Sequence, residues 1–396
     1  MLDNHPTRTP VPPAVTGETS GPSGESAPVR GRIHKALPPD RFIDHDTNAE
    51  MRWESVCTRD RLTAQSQLFV RNHTTTPLVR RDDYRLEVFG DGLVQRRGPR
   101  RALSFTLEDL QALPHTERVS VLECTGNGRG FFATQQGRSA PGTAWTLGAV
   151  GAVRWQGVLL RDLLGAVGLS PDAVSVQATG LDDPFVLDGV DHGRPRRPFP
   201  ISKALDDALL AWGADGTDLL PDHGFPLRLL LPGWVGIASI KWLGSLEVSR
   251  TPLSSPWSTV FYRMSGGEYP VDTLPLTTNP VRSAWALPWE ATLTAGVSAL
   301  LQGRAWSGEA PITRVEVSLD GGRSWQWAVL GGDQDDVEGD DAWTRFSVRG
   351  ASPAVGRHEL MARATDAKGR TQPLVSPWNS EGYLFDAVVR HPVVVA

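Results

Sequence analysis

Within the segment Ile312–Leu319, in the final third of this 396-residue chain, polar and apolar residues alternate from Arg314 onward. A period of two is typical of a β-strand that buries one face. Asp320-Gly321-Gly322 then supplies a turn, and Trp325–Leu330 predicts the returning strand of a hairpin. Two further strand-like segments follow without a helical period, Trp343–Val348 and His358–Ala364. Residues 253–396 are therefore predicted to form an all-β, immunoglobulin-like sandwich.

The preceding part of the chain, residues 39–252, combines strand and helix patterns and predicts a separate, strand-rich α+β domain. Thr106 and Asp109 have the spacing of a capping box at the start of a short helix. Further helices are predicted at Arg161–Gly168, where a glycine ends the helix, and at Ser202–Trp212. Residues 1–38 are rich in Pro, Gly, Ser and Thr and predict a disordered or loosely ordered arm.

Charge and cysteine content exclude several classes of protein. A formal net charge of −5 gives no support for a nucleic-acid partner. The two cysteines, Cys57 and Cys124, are too few for a disulfide framework or a thiolate cluster, and Cys57 is predicted to be a packing residue. No run of 18 apolar residues is present, so no membrane span is expected. Without a signal-peptide pattern the expected location is cytoplasmic; a processed or misassigned start would fit the periplasm.

Cys124 stands where a predicted strand, beginning at Val119, runs into the glycine-rich loop Thr125–Gly130. Glycines allow a backbone to approach a ligand closely. Arg129 nearby favours the thiolate, the form that acts as a nucleophile or a metal ligand. The local sequence leaves one alternative open, a small buried thiol before a surface turn.

Polar and cationic residues also gather where other predicted strands meet loops. The apolar segment that begins at Gln67 ends in Arg71, Asn72 and His73. Asp222–Arg228 and Ser239–Lys241 place a histidine, an arginine and a lysine at similar junctions. Such groups hold anions by charge-assisted hydrogen bonds, so the set points to a polyanionic ligand, with solvated surface as the alternative.

Four segments, taken in order, resemble the sulfite oxidase family of molybdenum enzymes: Phe69–His73, Cys124–Asn127, Asp222–Arg228 and Lys241–Leu243. Val317–Gly322 with Trp325 resembles the dimerisation domain of that family. The resemblance covers roughly residues 40–396. It implies a molybdopterin-binding catalytic domain over residues 39–252 and a dimerisation domain over residues 253–396, which together would form a homodimer.

The resemblance also implies a set of site residues. Cys124 is expected to be the single protein ligand to molybdenum, which a molybdopterin otherwise holds. The residues expected to contact the cofactor are Phe69, Val70, Arg71, Asn72, His73, Cys124, Asp182, His223, Arg228, Ser239, Ile240 and Lys241. Arg71, Arg129 and Tyr262 are the expected catalytic residues, because they match family positions around the metal and the substrate pocket.

The implied activity is the two-electron oxidation of sulfite, or of a related sulfur oxyanion or sulfur compound, by oxygen-atom transfer. No segment resembles a heme or flavin module, so neither cofactor is expected, and electrons would pass to an external acceptor such as a c-type cytochrome. Animal members have an arginine in a Trp-Asn-Leu-Arg-Gly string; here Glu381 stands at that place, in Trp378–Gly382, which weakens the case for sulfite itself. A sulfoxide reductase with the same cofactor and a non-catalytic binding scaffold are the alternatives.

Overall fold

The computed structural model describes residues 33–55, 62–331, 342–351 and 354–396. Most of the predicted N-terminal arm, and Cys57, lie outside the described residues, so the predictions for them are not addressed by the structure. Throughout the described part of the chain, strands outnumber helices and the helices are short.

The chain divides into two groups of strands, separated near residue 256. The strands of the first group are β1 (Phe42–His45), β2 (Asn48–Met51), β3 (Val70–Arg71), β4 (Leu86–Phe89), β5 (Leu103–Phe105), β6 (His115–Glu123), β7 (Val150–Leu159), β8 (Ser175–Gly180), β9 (Val186–Leu187), β10 (Val190–Asp191), β11 (Arg196–Pro200), β12 (Leu209–Ala214), β13 (Thr217–Asp218), β14 (Arg228–Leu230) and β15 (Leu243–Ser249). The helices are α1 (Leu107–Gln111), α2 (Arg129–Thr134), α3 (Leu160–Val167), α4 (Ile201–Asp206) and α5 (Pro256–Thr259). The strands of the second group are β16 (Arg282–Trp285), β17 (Ala291–Leu293), β18 (Ser298–Trp306), β19 (Ile312–Ser318), β20 (Gln326–Trp327), β21 (Val329–Leu330), β22 (Thr344–Ala351), β23 (Gly356–Asp366) and β24 (His391–Val395).

Two larger sheets make the first part of the molecule, with the small sheet β1-β2-β3 beside them. One sheet has the order β11-β8-β15-β4-β5, and its β15–β4 pair is parallel. The other has the order β13-β12-β7-β6, with β14 also paired to β12. One hydrophobic core joins them, because Leu86 and Leu246 from the first sheet cluster with Val158 and Leu210 from the second. Burial of such side chains is the main driving force for the layered arrangement.

Local sequence signals explain two of the helices. The hydroxyl of Thr106 accepts a hydrogen bond from the Asp109 amide at 3.0 Å, and the Asp109 carboxylate accepts one from the Thr106 amide at 2.8 Å. The predicted capping box of α1 is thus confirmed. Helix α3 ends at Gly168, whose φ of 81° lies in the left-handed region that favours glycine.

The predicted helix over Ser202–Trp212 is wrong in its second half. Helix α4 ends at Asp206, and Leu209–Ala214 forms β12. Every residue of β12 is buried: the strand has partners at both edges, and Leu210 and Trp212 pack into one hydrophobic cluster whereas Leu209, Ala211 and Ala214 pack into another. A central strand buried on both faces loses its polar alternation, so its apolar residues imitate one face of a helix.

The second part of the chain is a sandwich of two sheets, ordered β16-β18-β22-β21 and β17-β24-β23-β19-β20. Val315 and Val317 of β19 pack against Phe346 and Leu301 between the sheets. The predicted returning strand of the hairpin is divided: β20 pairs with β19, whereas β21 pairs with β22 of the opposite sheet. The predicted fold class, a strand-rich α+β domain followed by an all-β immunoglobulin-like sandwich, is confirmed. The exact domain boundaries stay predictions.

The two parts meet at the loop that follows β6. Phe131 and Phe132 of α2 share a buried cluster with Trp306, Phe385 and Ala387 from the second part of the chain. This contact places the cysteine loop between the two parts. Among the described residues, no helix is long and apolar enough to cross a membrane.

Candidate active site

A cleft of about 690 Å³, including its open mouth, lies beside the cysteine loop. Most of its lining comes from loops that follow strands of the first part of the molecule, because strand ends place side chains around a shared opening. Its lining residues are Phe69, Arg71, Asn72, His73, Leu122, Cys124, Thr125, Asp182, Pro195, Asp222, His223, Arg228, Gly236, Ile237, Ser239, Ile240, Lys241, Trp242 and Tyr262. Convergent polar side chains around an aromatic-lined cleft are typical of a site for a cofactor or another small molecule.

Cys124 lines the cleft as a free, partly buried thiol. The Cys124 amide donates to the Ala149 carbonyl at 2.9 Å, which extends the β6–β7 pairing up to the thiol. The amide of Gly126 points at Sγ at 3.4 Å. Burial raises the pKa of the thiol, while the charges of Arg71 and Arg129 and the Gly126 amide oppose that shift. A positively charged metal at this position would favour the thiolate decisively.

Arg228 and Lys241 line the cleft, Arg228 buried and Lys241 partly buried, and neither forms an ion pair with a carboxylate among the described residues. The Arg228 guanidinium donates to the carbonyls of His223 at 3.0 Å and Ser239 at 3.1 Å, and it lies 4.8 Å from the Trp155 ring centre. Lys241 Nζ donates to the Asn72 amide oxygen and, at 2.8 Å, to the Asp222 carbonyl. Burial lowers the pKa of Arg228 to about 9 and, with the Arg228 charge, that of Lys241. These cations are therefore poised to gain from a bound anion.

Two histidines also line the cleft, His223 buried and His73 partly buried. His223 Nε2 lies 2.8 Å from the Gln65 carbonyl oxygen. Because a carbonyl oxygen can only accept a hydrogen bond, Nε2 carries the proton. Burial, Lys35 and Lys241 lower the pKa of His223 well below its usual value. Burial, Arg71 and Lys241 do the same for His73. Both rings stay neutral near pH 7, and each offers hydrogen-bonding atoms rather than charge.

Tyr262 lines the cleft close to Arg71 and Cys124. Its φ of 56° is left-handed, which is a strained conformation for an aromatic residue, and such strain clusters at functional sites. The Tyr262 hydroxyl lies 3.1 Å from His73 Nε2, and its ring stacks on Tyr383 with centres 5.2 Å apart. Arg71 lines the cleft near both Cys124 and Tyr262. Burial raises the pKa of the Cys124 thiol and of the Tyr262 hydroxyl, and the positive charge of Arg71 opposes both shifts.

Nearly all of the predicted site residues lie around this cleft. The exceptions are Val70, which is fully buried in β3, and Arg129, which does not line the cleft. Arg129 instead donates to the Glu381 carbonyl at 2.9 Å and to the Thr143 carbonyl at 3.0 Å, although its charge still acts on Cys124. The individual roles of these residues stay predictions.

Sequence reasoning missed several lining residues, above all Asp222. Its carboxylate is fully buried and accepts hydrogen bonds from the amides of His34 and Lys35 and from the Thr76 hydroxyl. The available signal was its position directly before the predicted ligand His223. Thr125 and Trp242 likewise adjoin predicted ligands, Cys124 and Lys241.

Comparisons with known proteins agree with this geometry. Residues 73–257 match the oxidoreductase molybdopterin binding domain, and residues 278–395 match the Mo-co oxidoreductase dimerisation domain. Mitochondrial sulfite oxidase of Homo sapiens is 34% identical over 400 residues, covering 97% of this chain and 69% of that protein. The chain belongs to the sulfite oxidase family of molybdenum enzymes. It is therefore a molybdenum oxidoreductase with a molybdopterin-binding domain.

Two further comparisons agree with this assignment. Sulfite oxidase of Gallus gallus is 34% identical over 343 residues, covering 82% of this chain and 72% of that protein. The crystal structure of the sulfane dehydrogenase SoxCD from Paracoccus pantotrophus superposes with a TM-score of 0.71 at 26% identity. That match covers 91% of this chain and 86% of the SoxCD chain.

The residues around the cleft fit a molybdopterin cofactor. No group of three or more His, Cys, Asp or Glu within the described ranges could hold a metal ion, so the metal needs ligands from an organic group besides Cys124. Arg228 Nε is a buried donor and Asp182 Oδ1 a buried acceptor, and neither has a hydrogen-bond partner in the described protein. Unsatisfied buried polar atoms of both kinds suit a polar ligand, and the cations suit its phosphate.

Proposed function

We propose that this sulfite oxidase family member oxidises a small sulfur oxyanion, with sulfite as its first candidate, and passes the electrons to an external acceptor such as a c-type cytochrome. The observation that carries this proposal is the arrangement of Arg71 and Tyr262 beside the Cys124 thiol. A cation and a hydroxyl facing a thiolate-bound metal suit a small anion. The proposed reaction does not use a heme or a flavin carried by the same chain.

The buried cations would hold the cofactor. Arg228 and Lys241 would bind its phosphate, since the fork of arginine and the point charge of lysine both suit that group. Asn72, Asp182 and the neutral ring of His223 would accept or donate hydrogen bonds along the pterin. Cys124 would provide the protein's ligand to molybdenum. When bound, the cofactor supplies oxygen-atom transfer and accepts two electrons.

The substrate end would work through charge and hydrogen bonding. Arg71 would neutralise the anion, and the Tyr262 hydroxyl would donate a hydrogen bond to one of its oxygens. Burial raises the pKa of Tyr262, so this hydroxyl keeps its proton near pH 7 and can donate. Arg129 would add positive charge from outside the cleft, because its guanidinium is held by backbone carbonyls.

A larger or less charged sulfur compound is the second candidate substrate. Tyr262 belongs to an apolar cluster with Trp257 and Tyr383, against which Phe185, Phe261 and Met264 are packed and partly exposed. Apolar groups beside the substrate end favour a substrate with apolar surface. The Glu381 side chain adds no cation there, in contrast to the arginine that the animal enzymes have in the same string.

The first test measures molybdenum in the purified protein and its reduction by sulfite under anaerobic stopped-flow conditions. We expect Cys124→Ser to lose the metal and the activity while its thermal unfolding stays close to that of the wild type. Cys57→Ser, the matched control at the second cysteine, should keep both. A Cys124→Ser protein that retains molybdenum and turnover would refute the ligand assignment. Metal-loaded wild type that an alkyl persulfide reduces, but sulfite and thiosulfate do not, would favour the second candidate substrate.

A further inference from the structure

The residue directly before Cys124 is a buried glutamate that faces away from the cleft. Glu123 Oε1 accepts hydrogen bonds from Arg282 at 2.9 Å and from the Asn127 amide group at 2.8 Å, and Oε2 accepts one from the Trp306 indole at 2.8 Å. The Glu123 and Arg282 side chains are only 2% and 4% exposed. The carboxylate therefore has partners at both oxygens and is closed off from solvent.

Two of these partners come from the second part of the chain. Arg282 begins β16 and Trp306 ends β18, and the two residues are direct neighbours across that strand pair. The sandwich thus presents a cation and an indole N–H side by side to one carboxylate of the catalytic domain. The pairing of β16 with β18 fixes the distance between the two donors.

The same arginine also contacts the cysteine loop itself. One terminal nitrogen of the Arg282 guanidinium donates to the Asn127 carbonyl at 2.7 Å. The other terminal nitrogen of Arg282 would lie 2.7 Å from a Cβ atom placed on Gly128. Gly128 has a φ of 83°, so both its conformation and the close approach of Arg282 require glycine. The amide of Leu384, again from the second part, donates to the Thr125 carbonyl at 2.9 Å. The loop that carries the thiol is thereby held from the sandwich side.

A buried ion pair is a poor way to gain stability, because desolvation of both charges offsets most of their attraction. Its geometry is nevertheless demanding, since removal of one partner leaves the other charge buried and alone. An ion pair that joins the two domains next to the thiol therefore contributes more to the orientation of the cysteine loop than to the stability of the fold. Glu123 and Arg282 also each form a hydrogen bond with Asn127, the third residue after Cys124. The ion pair is therefore connected directly to the cysteine loop.

We infer that Glu123, Arg282 and Trp306 are positioning residues through which the sandwich sets the conformation of the Cys124 loop. They do not touch the cleft and act only through the loop. The inference deepens the proposed function, on which it rests for the role of Cys124 as metal ligand. The mechanical link between the sandwich and the loop can be tested without any cofactor.

The test is hydrogen exchange, followed by mass spectrometry, on cofactor-free protein from cells grown without molybdate. We expect Glu123→Gln to speed exchange of the loop amides at residues 125–130 by on the order of tenfold, since local opening exposes them. Amides of β8, on the other sheet of the catalytic domain, should keep their wild-type rates. Trp306→Phe removes one hydrogen bond and no charge, so it provides a folded variant with a smaller change in the same direction if Glu123→Gln fails to fold.

Glu316→Gln is the matched control. Glu316 pairs with Arg363 at 3.1 Å between β19 and β23, within the sandwich alone. This variant should leave the exchange of residues 125–130 unchanged. The double variant Glu123→Gln with Arg282→Met also removes the hydrogen bond from Arg282 to the Asn127 carbonyl, and we expect its loop to exchange at least as fast as in Glu123→Gln alone. Loop exchange within about twofold of wild type in both Glu123→Gln and Trp306→Phe would overturn the inference.

A second readout is the rate at which molybdenum is lost from protein purified with its cofactor. Glu123→Gln should lose it several times faster than wild type, and Glu316→Gln at the wild-type rate. Wild-type protein without molybdenum would contradict the proposed function and leave the exchange result standing. Normal metal retention together with normal loop exchange in the variants would contradict the positioning role alone.

Discussion

At the scale of single residues, Tyr262 combines features that a purely structural tyrosine would not need. It has a left-handed backbone, a ring stacked on Tyr383, and a hydroxyl within hydrogen-bond distance of His73. Leu276 donates its amide to the Tyr262 carbonyl at 2.8 Å, and this bond helps to hold the strained conformation. The surrounding structure thus aims one hydroxyl into the cleft at the cost of backbone strain.

We expect Tyr262→Phe to lower kcat for sulfite by roughly 10- to 100-fold, because a hydrogen bond to a charged group contributes about 1.5–3 kcal/mol. Steady-state kinetics at saturating sulfite measure this effect. Tyr269→Phe, a tyrosine outside the cleft lining, is the control and should behave like the wild type. Equal kcat in Tyr262→Phe and wild type would remove this hydroxyl from the proposed mechanism.

His73 and His223 make the stability of the cofactor-free protein depend on pH. His73 and His223 have pKa values well below 6.5 in the folded state, whereas in the unfolded chain they take up protons near 6.5. Below that pH the unfolded state binds more protons, so the free energy of unfolding falls as the pH falls. Each histidine should contribute a loss of about 1 kcal/mol between pH 6.5 and about 5.5.

We therefore expect His223→Gln to reduce the acid-induced loss of stability by about 1 kcal/mol over that interval. Urea unfolding of the cofactor-free protein at both pH values measures the difference. His34→Gln changes an exposed histidine and should retain the full wild-type dependence. A His223→Gln profile parallel to that of the wild type would mean that His223 is not held neutral in the folded protein.

At the scale of elements, the segment Ile33–Leu37 fastens onto the loop that carries His223. The amides of His34 and Lys35 donate to one oxygen of Asp222, at 2.9 and 2.8 Å, and the Thr76 hydroxyl donates to the other at 2.7 Å. The Lys35 side chain reaches back to the carbonyls of Ser66 and Leu68. One carboxylate thus ties three separate segments together behind the buried cations of the cleft.

Asp222→Asn should lower the free energy of unfolding of the cofactor-free protein by roughly 2 kcal/mol. The substitution replaces one carboxylate oxygen by an NH2 group, which cannot accept the hydrogen bonds that now converge on Asp222. Denaturant unfolding measures the loss. Asp218→Asn is the control: Asp218 is 60% exposed and pairs with Arg81 at the surface, so its replacement should cost less than about 0.5 kcal/mol. Equal effects of the two substitutions would show that the segment is not fastened through Asp222.

At the scale of the whole molecule, the sandwich domain is expected to join two chains. Its residues 278–395 match the Mo-co oxidoreductase dimerisation domain, and a two-fold pair is the commonest symmetric assembly. Light scattering should give twice the mass of one chain at micromolar concentration. A mass equal to one chain, independent of concentration, would contradict the dimer.

The sequence predicted best where local signals and tertiary structure agree. Three signals depend only on neighbours in the chain: the capping box at Thr106, the glycine stop at Gly168 and the alternation within Ile312–Leu319. It predicted worst at Ser202–Trp212, where β12 is buried by strands distant in sequence. The returning strand after Gly322 divides between two sheets for the same reason, since β21 finds its partner in β22.

By itself, the sequence determined the types of residue that the site requires: a thiol at a glycine loop, cations at strand ends, and the resemblance that connects them. Only the tertiary structure decided which of them share a cleft, that Arg129 stands outside it, and that Asp222 belongs to it. It alone revealed that Glu123 is bound by Arg282 and Trp306 of the other domain. The physical reason is that hydrogen bonds and ion pairs between residues far apart in the chain depend on packing, which leaves no periodic signal in the sequence.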